Sequence, residues 1–130
     1  MADFSPLHGR ALITGGSSGL GLTFARHLAR RGLDLVLAAR NPERLDETAR
    51  ELRELGVDVE VLPADLSTDD GVQAVAERVG STDSPINVLV NNAGAGLYTR
   101  MATADATALL AGTQLMALAP MVIGGAAAAA

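Results

Sequence analysis

A segment rich in small residues, TGGSSGLG at positions 14–21, directly follows the apolar run RALI. Its glycines have the spacing G-x-x-x-G-x-G, at Gly15, Gly19 and Gly21. Glycine allows the backbone to turn tightly and removes the Cβ that would hold a ligand away. A helix that begins near Gly19 presents unpaired N–H groups and a partial positive charge at its N-terminus. The segment therefore predicts a loop that binds a phosphate group.

The composition excludes several other kinds of chemistry. The 130 residues contain no cysteine, so the chain has no thiolate nucleophile, disulfide or cysteine-based metal site. The ten cationic side chains are all arginine, and the two histidines, His8 and His27, form no ligand pattern. The net charge of −5 argues against nucleic acid as a partner. A hydrophobic content of 48% is typical of a folded globular chain.

Short apolar runs alternate with amphipathic segments along the chain. The predicted strands are RALIT (10–14), DLVLAAR (34–40), VDVEVLPA (57–64) and INVLVNNAG (86–94). This alternation predicts an α/β fold, a Rossmann-like doubly wound parallel sheet in three α/β/α layers with strand order 3-2-1-4. The fourth strand is apolar, and no fifth strand is predicted to pair with it. Such a strand would be an unprotected edge, so we expect the sheet to be incomplete.

The helices between these strands are indicated by spacing and by capping residues. Leu20, Phe24 and Leu28 lie four residues apart, with Ala25 beside them, and predict a first helix with one apolar stripe. Asn41 is the expected cap of the second helix, since Pro42 follows it at the first helical position. Ser67 is the expected cap of the third.

Three motifs resemble those of the short-chain dehydrogenase/reductase family. The segment at 14–21 matches the family's T-G-x-x-x-G-x-G cofactor loop, ADL (64–66) matches the Asp after its third strand, and NNAG (91–94) matches the end of its fourth. They occur in the family's order, and the match extends from about residue 8 to about residue 105. The resemblance implies the cofactor-binding half of an NAD(P)-dependent oxidoreductase that exchanges hydride between nicotinamide and a carbonyl or alcohol substrate.

The resemblance also implies which residues border the cofactor. Those expected beside the phosphates and ribose are Gly15, Ser17, Ser18, Gly19, Leu20 and Gly21. Those expected at the adenine edge and beside the adenosine ribose are Asp65, Leu66, Asn92, Ala93 and Gly94. Asp65 could instead be a plain loop or cap residue, and NNAG an ordinary turn. The two serines could cap the helix, which does not exclude a phosphate contact.

The residues after the second strand predict which dinucleotide is preferred. NAD-binding loops usually carry a carboxylate about 20 residues past the glycines, but this chain has Ala38, Ala39 and Arg40 there. A guanidinium can bind the 2′-phosphate of NADP with two hydrogen bonds, and the family resemblance also associates an arginine here with NADP(H) preference over NAD(H). Arg44, one helical turn on, is a second candidate. The alternative for Arg40 is a solvated surface arginine.

The residues that would perform catalysis are missing. The family resemblance implies a Ser and a Tyr-x-x-x-Lys pair, but the one tyrosine, Tyr98, has Ala102 in the lysine position, and the chain has no lysine. Tyr98 also lies too close to the preceding glycine turn. Aligning MALA (116–119) with the family's Asn-x-x-Ala places Met116 at the asparagine. We therefore assign no catalytic residue and expect the 130-residue chain alone to be inactive.

Two hypotheses follow for the whole protein. Residues 1–130 could form a dinucleotide-binding domain that is the N-terminal part of a longer reductase, which we favour because the family's usual length is about twice this one. The alternative is a non-catalytic NADP-binding or regulatory module, which would share every cofactor residue with the first.

The segment from Ala106 to Ala130 contains no charged residue. Its length would suffice to span a membrane, but Gly112, Gln114 and Pro120 dilute its apolar character and no basic cluster flanks it. We expect a helix that packs on the sheet and against a neighbouring subunit, and the family resemblance also implies such pairing of subunits. We therefore expect a homo-oligomer without a membrane anchor; the disfavoured alternative is a membrane-attached interaction protein. The N-terminal residues lack a basic leader before an apolar run, so a cytoplasmic location is expected.

Overall fold

The computed structural model describes residues 9–94 and 105–130. Its strands are β1 (Arg10–Thr14), β2 (Asp34–Ala39), β3 (Val59–Pro63) and β4 (Val88–Val90). They form one parallel sheet in the order β3-β2-β1-β4, which confirms the predicted fold class and strand order. β4 is shorter than predicted. Within the part of the chain that the structure describes, β1 is its one strand neighbour.

Helices connect the strands and follow the last one. They are α1 (Gly19–Arg30), α2 (Pro42–Arg53), α3 (Asp69–Gly80), α4 (Ala106–Thr113) and α5 (Ala119–Ala129). A π-helical segment, Gln114–Leu118, joins α4 to α5. We call the continuous stretch Ala106–Ala129 the C-terminal helix.

Alternating strand residues supply two separate cores, one on each face of the sheet. Ile13 and Leu37 pack with residues of α1 and α2 in the first core. Leu12 and Val36 pack with residues of α3 and α5 in the second. Because neighbouring residues of a strand point to opposite faces, this division is what a doubly wound sheet requires.

The apolar stripe predicted for α1 is wrong in part. Leu20 is 64% exposed and Phe24 41% exposed, whereas Ala25 and Ala29 are buried. Gly21 is also buried on this helix, so its inward face consists of small residues. Small side chains allow the helix to approach the sheet and the glycine loop closely. The need for this close approach, and not the spacing of the larger residues, therefore decides which face of α1 is buried.

The predicted cap of α2 is confirmed and that of α3 is wrong by one residue. The side chain of Asn41 accepts a hydrogen bond from Arg44 N at 3.1 Å. In α3 the cap is Thr68, whose hydroxyl accepts from Gly71 N at 3.1 Å. Ser67 donates to Asp65 instead, because an aspartate two residues earlier offers its hydroxyl a charged acceptor.

The C-terminal helix is attached to the second core by one narrow face. Ala119 and Ile123 are fully buried there, and Asn91 Nδ2 donates to the Pro120 carbonyl at 3.4 Å. The 24-residue stretch has a mean hydropathy of 1.7, with 11% of its most apolar part buried. By length and composition it is apolar enough to cross a membrane.

Candidate functional site

The carboxyl ends of the strands open into a cleft of about 610 Å³, within the usual range for small-molecule sites. The residues that line it are Gly15, Ser17, Ser18, Ala38, Ala39, Arg40, Asn41, Pro42, Glu43, Arg44, Ala64, Asp65, Leu66, Ala93, Gly94 and Leu115. The cleft lies where open parallel sheets bind their ligands, beyond the carboxyl ends of the strands.

The glycine loop joins β1 to α1 at one wall of the cleft. Gly15 has φ +68° and its N–H donates to the Ala38 carbonyl at 2.7 Å, which ties the loop to β2. Gly19 has φ +55°, and a Cβ at this position would meet no atom within 4 Å. Ser18 is the N-cap of α1, but its side chain makes no capping hydrogen bond. The first N–H groups of α1 therefore lack the side-chain cap that α2 and α3 have.

A buried threonine connects this loop to the end of β4. Thr14 Oγ1 accepts from Asn92 N and Ala93 N, both at 3.0 Å, and donates to the Val90 carbonyl at 3.4 Å. Asn92 Nδ2 in turn donates to the carbonyls of Thr14 and Gly15 at 3.3 and 3.4 Å. These hydrogen bonds hold Ala93 beside the glycine loop.

Gly21 permits this close approach. An added Cβ would overlap the Gly15 carbonyl and would lie 2.6 Å from Asn92 Nδ2. Gly21 and Asn92 are therefore fixed by packing beneath the loop, and neither lines the cleft.

Asp65 forms a second polar wall after β3. Its Oδ1 accepts from the backbone N–H of Ser67 at 3.0 Å and from its hydroxyl at 2.6 Å. These two hydrogen bonds lower the pKa of Asp65, and the positive charge of Arg40 lowers it further, whereas partial burial opposes them. Gly71 is required beneath this turn, because a Cβ there would overlap the Asp65 carbonyl. Asp65 is thus an ionised residue in a rigid turn.

The end of β2 and the start of α2 supply cationic side chains. Arg40 and Arg44 are both exposed and both line the cleft, with Ala38 and Ala39 beside them. Glu43 lies between the arginines in sequence and also lines the cleft. An anionic ligand would meet two guanidinium groups at this wall.

The structure brings eight of the twelve predicted cofactor residues together at the cleft: Gly15, Ser17, Ser18, Arg40, Asp65, Leu66, Ala93 and Gly94. Gly19 and Leu20 follow Ser18 in the first turn of α1. The role of each in binding stays a prediction. Tyr98, to which we assign no catalytic role, lies outside the described residues.

Several residues of the site were not found by sequence reasoning. Thr14 shapes the glycine loop and belongs to the matched motif at 14–21, although no role was predicted for it. Gly71 shapes the Asp65 turn, and a glycine in the first turn of a helix was the available signal. Leu115 lines the cleft from the π-helical segment, where its place depends on tertiary packing. In residues 9–94 and 105–130 no group of three or more histidine, aspartate or glutamate residues could hold a metal ion.

Comparisons with known proteins agree with this geometry. Residues 10–122 match the sequence profile of a family described as short chain dehydrogenase. The 3-oxoacyl-(acyl-carrier-protein) reductase of rhamnolipid biosynthesis from Pseudomonas aeruginosa is 39% identical over 95 residues, which are 72% of this chain and 37% of the reductase. The chain therefore spans just over a third of this curated relative.

Two solved structures are similar over nearly the whole chain. The bulky-bulky ketone specific alcohol dehydrogenase from Comamonas testosteroni is 38% identical with a TM-score of 0.89, covering 93% of this chain and 48% of that one. A short-chain dehydrogenase from Sphingobium yanoikuyae, solved in complex with NADPH, is 41% identical with a TM-score of 0.88 and covers the same shares. The chain thus spans about half of each solved protein.

Proposed function

Because the chain belongs to the short-chain dehydrogenase family, we propose that it is the cofactor-binding half of an oxidoreductase that prefers NADP(H). When bound, the nicotinamide supplies the hydride that is exchanged with a carbonyl or alcohol substrate. The residues present fit such a cofactor, because the cleft combines a glycine loop, an uncapped helix N-terminus and two arginines.

Each wall of the cleft has a distinct task in this proposal. The pyrophosphate lies at the loop from Gly15 to Leu20, where backbone N–H groups bind it and Gly19 leaves room for it. The adenine edge lies by Asp65 and Leu66. Because hydrogen bonds from Ser67 hold the Asp65 carboxylate ionised, it remains a hydrogen-bond acceptor at neutral pH.

The observation that carries the preference for NADP(H) is the pairing of Arg40 with two alanines at the end of β2. Ala38 and Ala39 place no carboxylate where the ribose 2′-phosphate would lie, and Arg40 lines the same wall. A relative of 41% identity is solved with NADPH, which supports this choice.

The test is the affinity for both dinucleotides, measured by titration of NADPH and NADH fluorescence. Arg40→Ala is expected to weaken NADPH binding by about 1.5–3 kcal/mol, the range for a charge-assisted hydrogen bond. NADH binding should hardly change, because NADH lacks the 2′-phosphate.

Arg50→Ala is the matched control. Arg50 is exposed on α2 and does not line the cleft, so its removal changes the net charge equally without touching the site. The preference for NADP(H) is refuted by equal losses for both dinucleotides in Arg40→Ala, or by an NADPH loss in Arg50→Ala of the same size.

A second candidate function is a non-catalytic NADP-binding or regulatory module. It is favoured by the lack of any lysine, which leaves no Tyr-x-x-x-Lys pair in this sequence. The intact mass of the native protein, captured from its source cells, separates the two. A product of about twice this mass supports the oxidoreductase, and one of this mass supports the module. Carbonyl reduction by the purified 130-residue chain would contradict its expected inactivity.

We further propose that the exposed face of the C-terminal helix mediates homo-oligomer formation. Leu110 and Met121 are each more than 70% exposed, and the whole stretch is uncharged. Light scattering after gel filtration should give a multiple of the chain mass for the unaltered chain and a monomer for Met121→Glu. Leu55→Glu is the control, since Leu55 is also exposed but follows α2. A monomeric unaltered chain would contradict the proposal.

The cytoplasmic location without a membrane anchor is a separate proposal. It is supported by the polar attachment of the C-terminal helix, in which Asn91 binds the Pro120 carbonyl and Gln114 binds Asp69. Alkaline extraction of cell membranes should leave the protein in the supernatant. Retention in the membrane pellet would instead indicate that Ala106–Ala129 spans the bilayer.

A further inference from the structure

The aliphatic part of the cleft includes a residue from a distant element. Leu115 lines the cleft together with Leu66 and Ala93, and it also packs against the second core. The cleft thus offers aliphatic side chains in addition to the cations at Arg40 and Arg44. Such a combination suits a phosphorylated ligand that carries a planar heterocycle.

Leu115 lies in the π-helical segment Gln114–Leu118. π-Helical turns are rare, and they occur frequently at functional sites. This one interrupts the C-terminal helix where that helix reaches the cleft, between α4, which has no buried residue, and α5, which has two. The position of Leu115 therefore depends on how this short segment is held.

A side-chain hydrogen bond links the π-helical segment to the first turn of α3. Gln114 Nε2 donates to Asp69 Oδ1 at 3.1 Å. Asp69 is the first residue of α3, and the preceding Thr68 donates through its hydroxyl to the Asp65 carbonyl at 2.7 Å. Gln114 is thus linked to the same turn that carries Asp65 to the cleft.

The C-terminal helix has other attachments that do not involve this hydrogen bond. Ala119 and Ile123 are fully buried in the second core, and Asn91 binds the Pro120 carbonyl. Loss of the Gln114–Asp69 hydrogen bond is therefore expected to loosen the segment at the cleft without undocking the helix.

We propose that Gln114 and Asp69 are positioning residues that hold Leu115 against the base of a bound adenine nucleotide. The inference rests on the proposed function, which supplies the adenine nucleotide. The two residues act through Leu115. The Gln114–Asp69 hydrogen bond keeps Leu115 at the aliphatic side of the cleft, where it contacts the base.

The experiment measures the dissociation constant of adenosine 2′,5′-bisphosphate by isothermal titration calorimetry on the full chain. Gln114→Met removes the donor with little change of shape, and Asp69→Ala removes the acceptor. Each is expected to weaken binding about three- to tenfold, in line with the net value of one hydrogen bond. The double variant should bind no more weakly than either single variant, because both remove the same interaction.

Two further variants distinguish positioning from a general effect on α3. Asp70→Ala removes a neighbouring carboxylate from the same first turn, and it should bind within about twofold of the unaltered chain. Asp69→Asn keeps an acceptor oxygen for Gln114 and should restore most of the affinity lost in Asp69→Ala.

Unchanged affinity in Gln114→Met, an equal loss in Asp70→Ala, or no recovery in Asp69→Asn overturns the positioning role and leaves the proposed function standing. If the unaltered chain fails to bind adenosine 2′,5′-bisphosphate, both the inference and the proposed function are overturned.

Discussion

The two layers of helices on this sheet differ in how completely they bury their apolar residues. α1 and α2 pack against the first core through residues that are almost all fully buried. The C-terminal helix contributes two fully buried residues to the second core, while Met121 and Leu118 are 72% and 47% exposed. Apart from Leu20 and Phe24 on α1, the first layer thus buries its large apolar residues within this chain, whereas the C-terminal helix presents a broad apolar surface.

Because of this difference, we expect the glycine loop and the Leu115 side of the cleft to differ in rigidity. The glycine loop lies between β1 and α1. Its conformation is fixed by a hydrogen bond from Gly15 N to the Ala38 carbonyl of β2 and by one from the Asn92 side chain, just after β4, to the Gly15 carbonyl. Leu115 belongs to the C-terminal helix in the second layer, and the outer face of that helix is exposed within one subunit. The wall formed by the glycine loop should therefore be the more rigid part of the cleft, and the aliphatic wall at Leu115 the more adjustable.

The largest expected effect on stability comes from replacing one leucine in each layer by alanine. Leu37→Ala in the first core should lower the free energy of unfolding by about 2–5 kcal/mol, since Leu37 is fully buried. Leu118→Ala, made in the Met121→Glu variant that we expect to be monomeric, should change it by less than about 0.5 kcal/mol, because Leu118 is 47% exposed within one subunit. Urea unfolding followed by circular dichroism measures both. A loss above about 1 kcal/mol in that monomeric background would contradict the comparison, because it would mean that Leu118 is packed within one subunit.

A smaller loss of stability is expected when a methyl group is added beneath the glycine loop. Gly21→Ala should cost about 1–3 kcal/mol of stability, because the new methyl group overlaps the Gly15 carbonyl and crowds Asn92. Gly80→Ala is the control, since a Cβ there meets no atom within 4 Å. Thermal unfolding of the two variants gives the comparison. Equal stability of Gly21→Ala and the unaltered chain would mean that the loop is adjustable after all.

The smallest expected effect concerns the pH dependence contributed by Asp65. Hydrogen bonds from Ser67 lower its pKa in the folded chain. A lowered pKa contributes stability that is present above the pKa of the unfolded chain and is lost as the pH falls through the folded value. The stability difference between the unaltered chain and Asp65→Asn should therefore be constant above about pH 5 and shrink towards pH 3.

Urea unfolding at several pH values measures this difference. Asp46→Asn tests whether the effect is specific, since Asp46 is exposed on α2 and lies away from the Asp65 turn. A difference for Asp65→Asn that does not vary with pH would contradict the role of Ser67.

The sequence predicts the framework of this protein better than its details. Alternating apolar runs suffice for the strand order, because parallel strands joined by helices have few allowed topologies. The exposure of Leu20 and Phe24 could not be predicted, since periodicity registers the size of side chains but not how closely a helix must approach the sheet. Sequence also fails at Leu115, whose place at the cleft depends on the packing of residues nearly fifty positions apart.

The same distinction applies within the candidate site. Glycine spacing suffices to predict the glycine loop, because the conformation that requires glycine is local to the backbone. The capping role moves from Ser67 to Thr68 because Asp65 competes for the serine hydroxyl, and such competition between neighbouring hydrogen bonds is not visible in a pattern of residue types. Arg40 lines the cleft as expected, and it was singled out because an arginine stands where NAD-binding loops usually carry a carboxylate; its role in selecting the dinucleotide stays a prediction.

The hydroxyl of Thr14 has a consequence for the dynamics of the chain. It joins the shortest strand, at the edge of the sheet, to the loop proposed to bind phosphate. An opening of β4 away from β1 would remove these hydrogen bonds and release the loop in the same event. The amide protons of Asn92 and Ala93 should therefore exchange with solvent together with those of β4, as one cooperative unit. A phosphate ligand on the loop would then protect the edge strand from exchange without touching it.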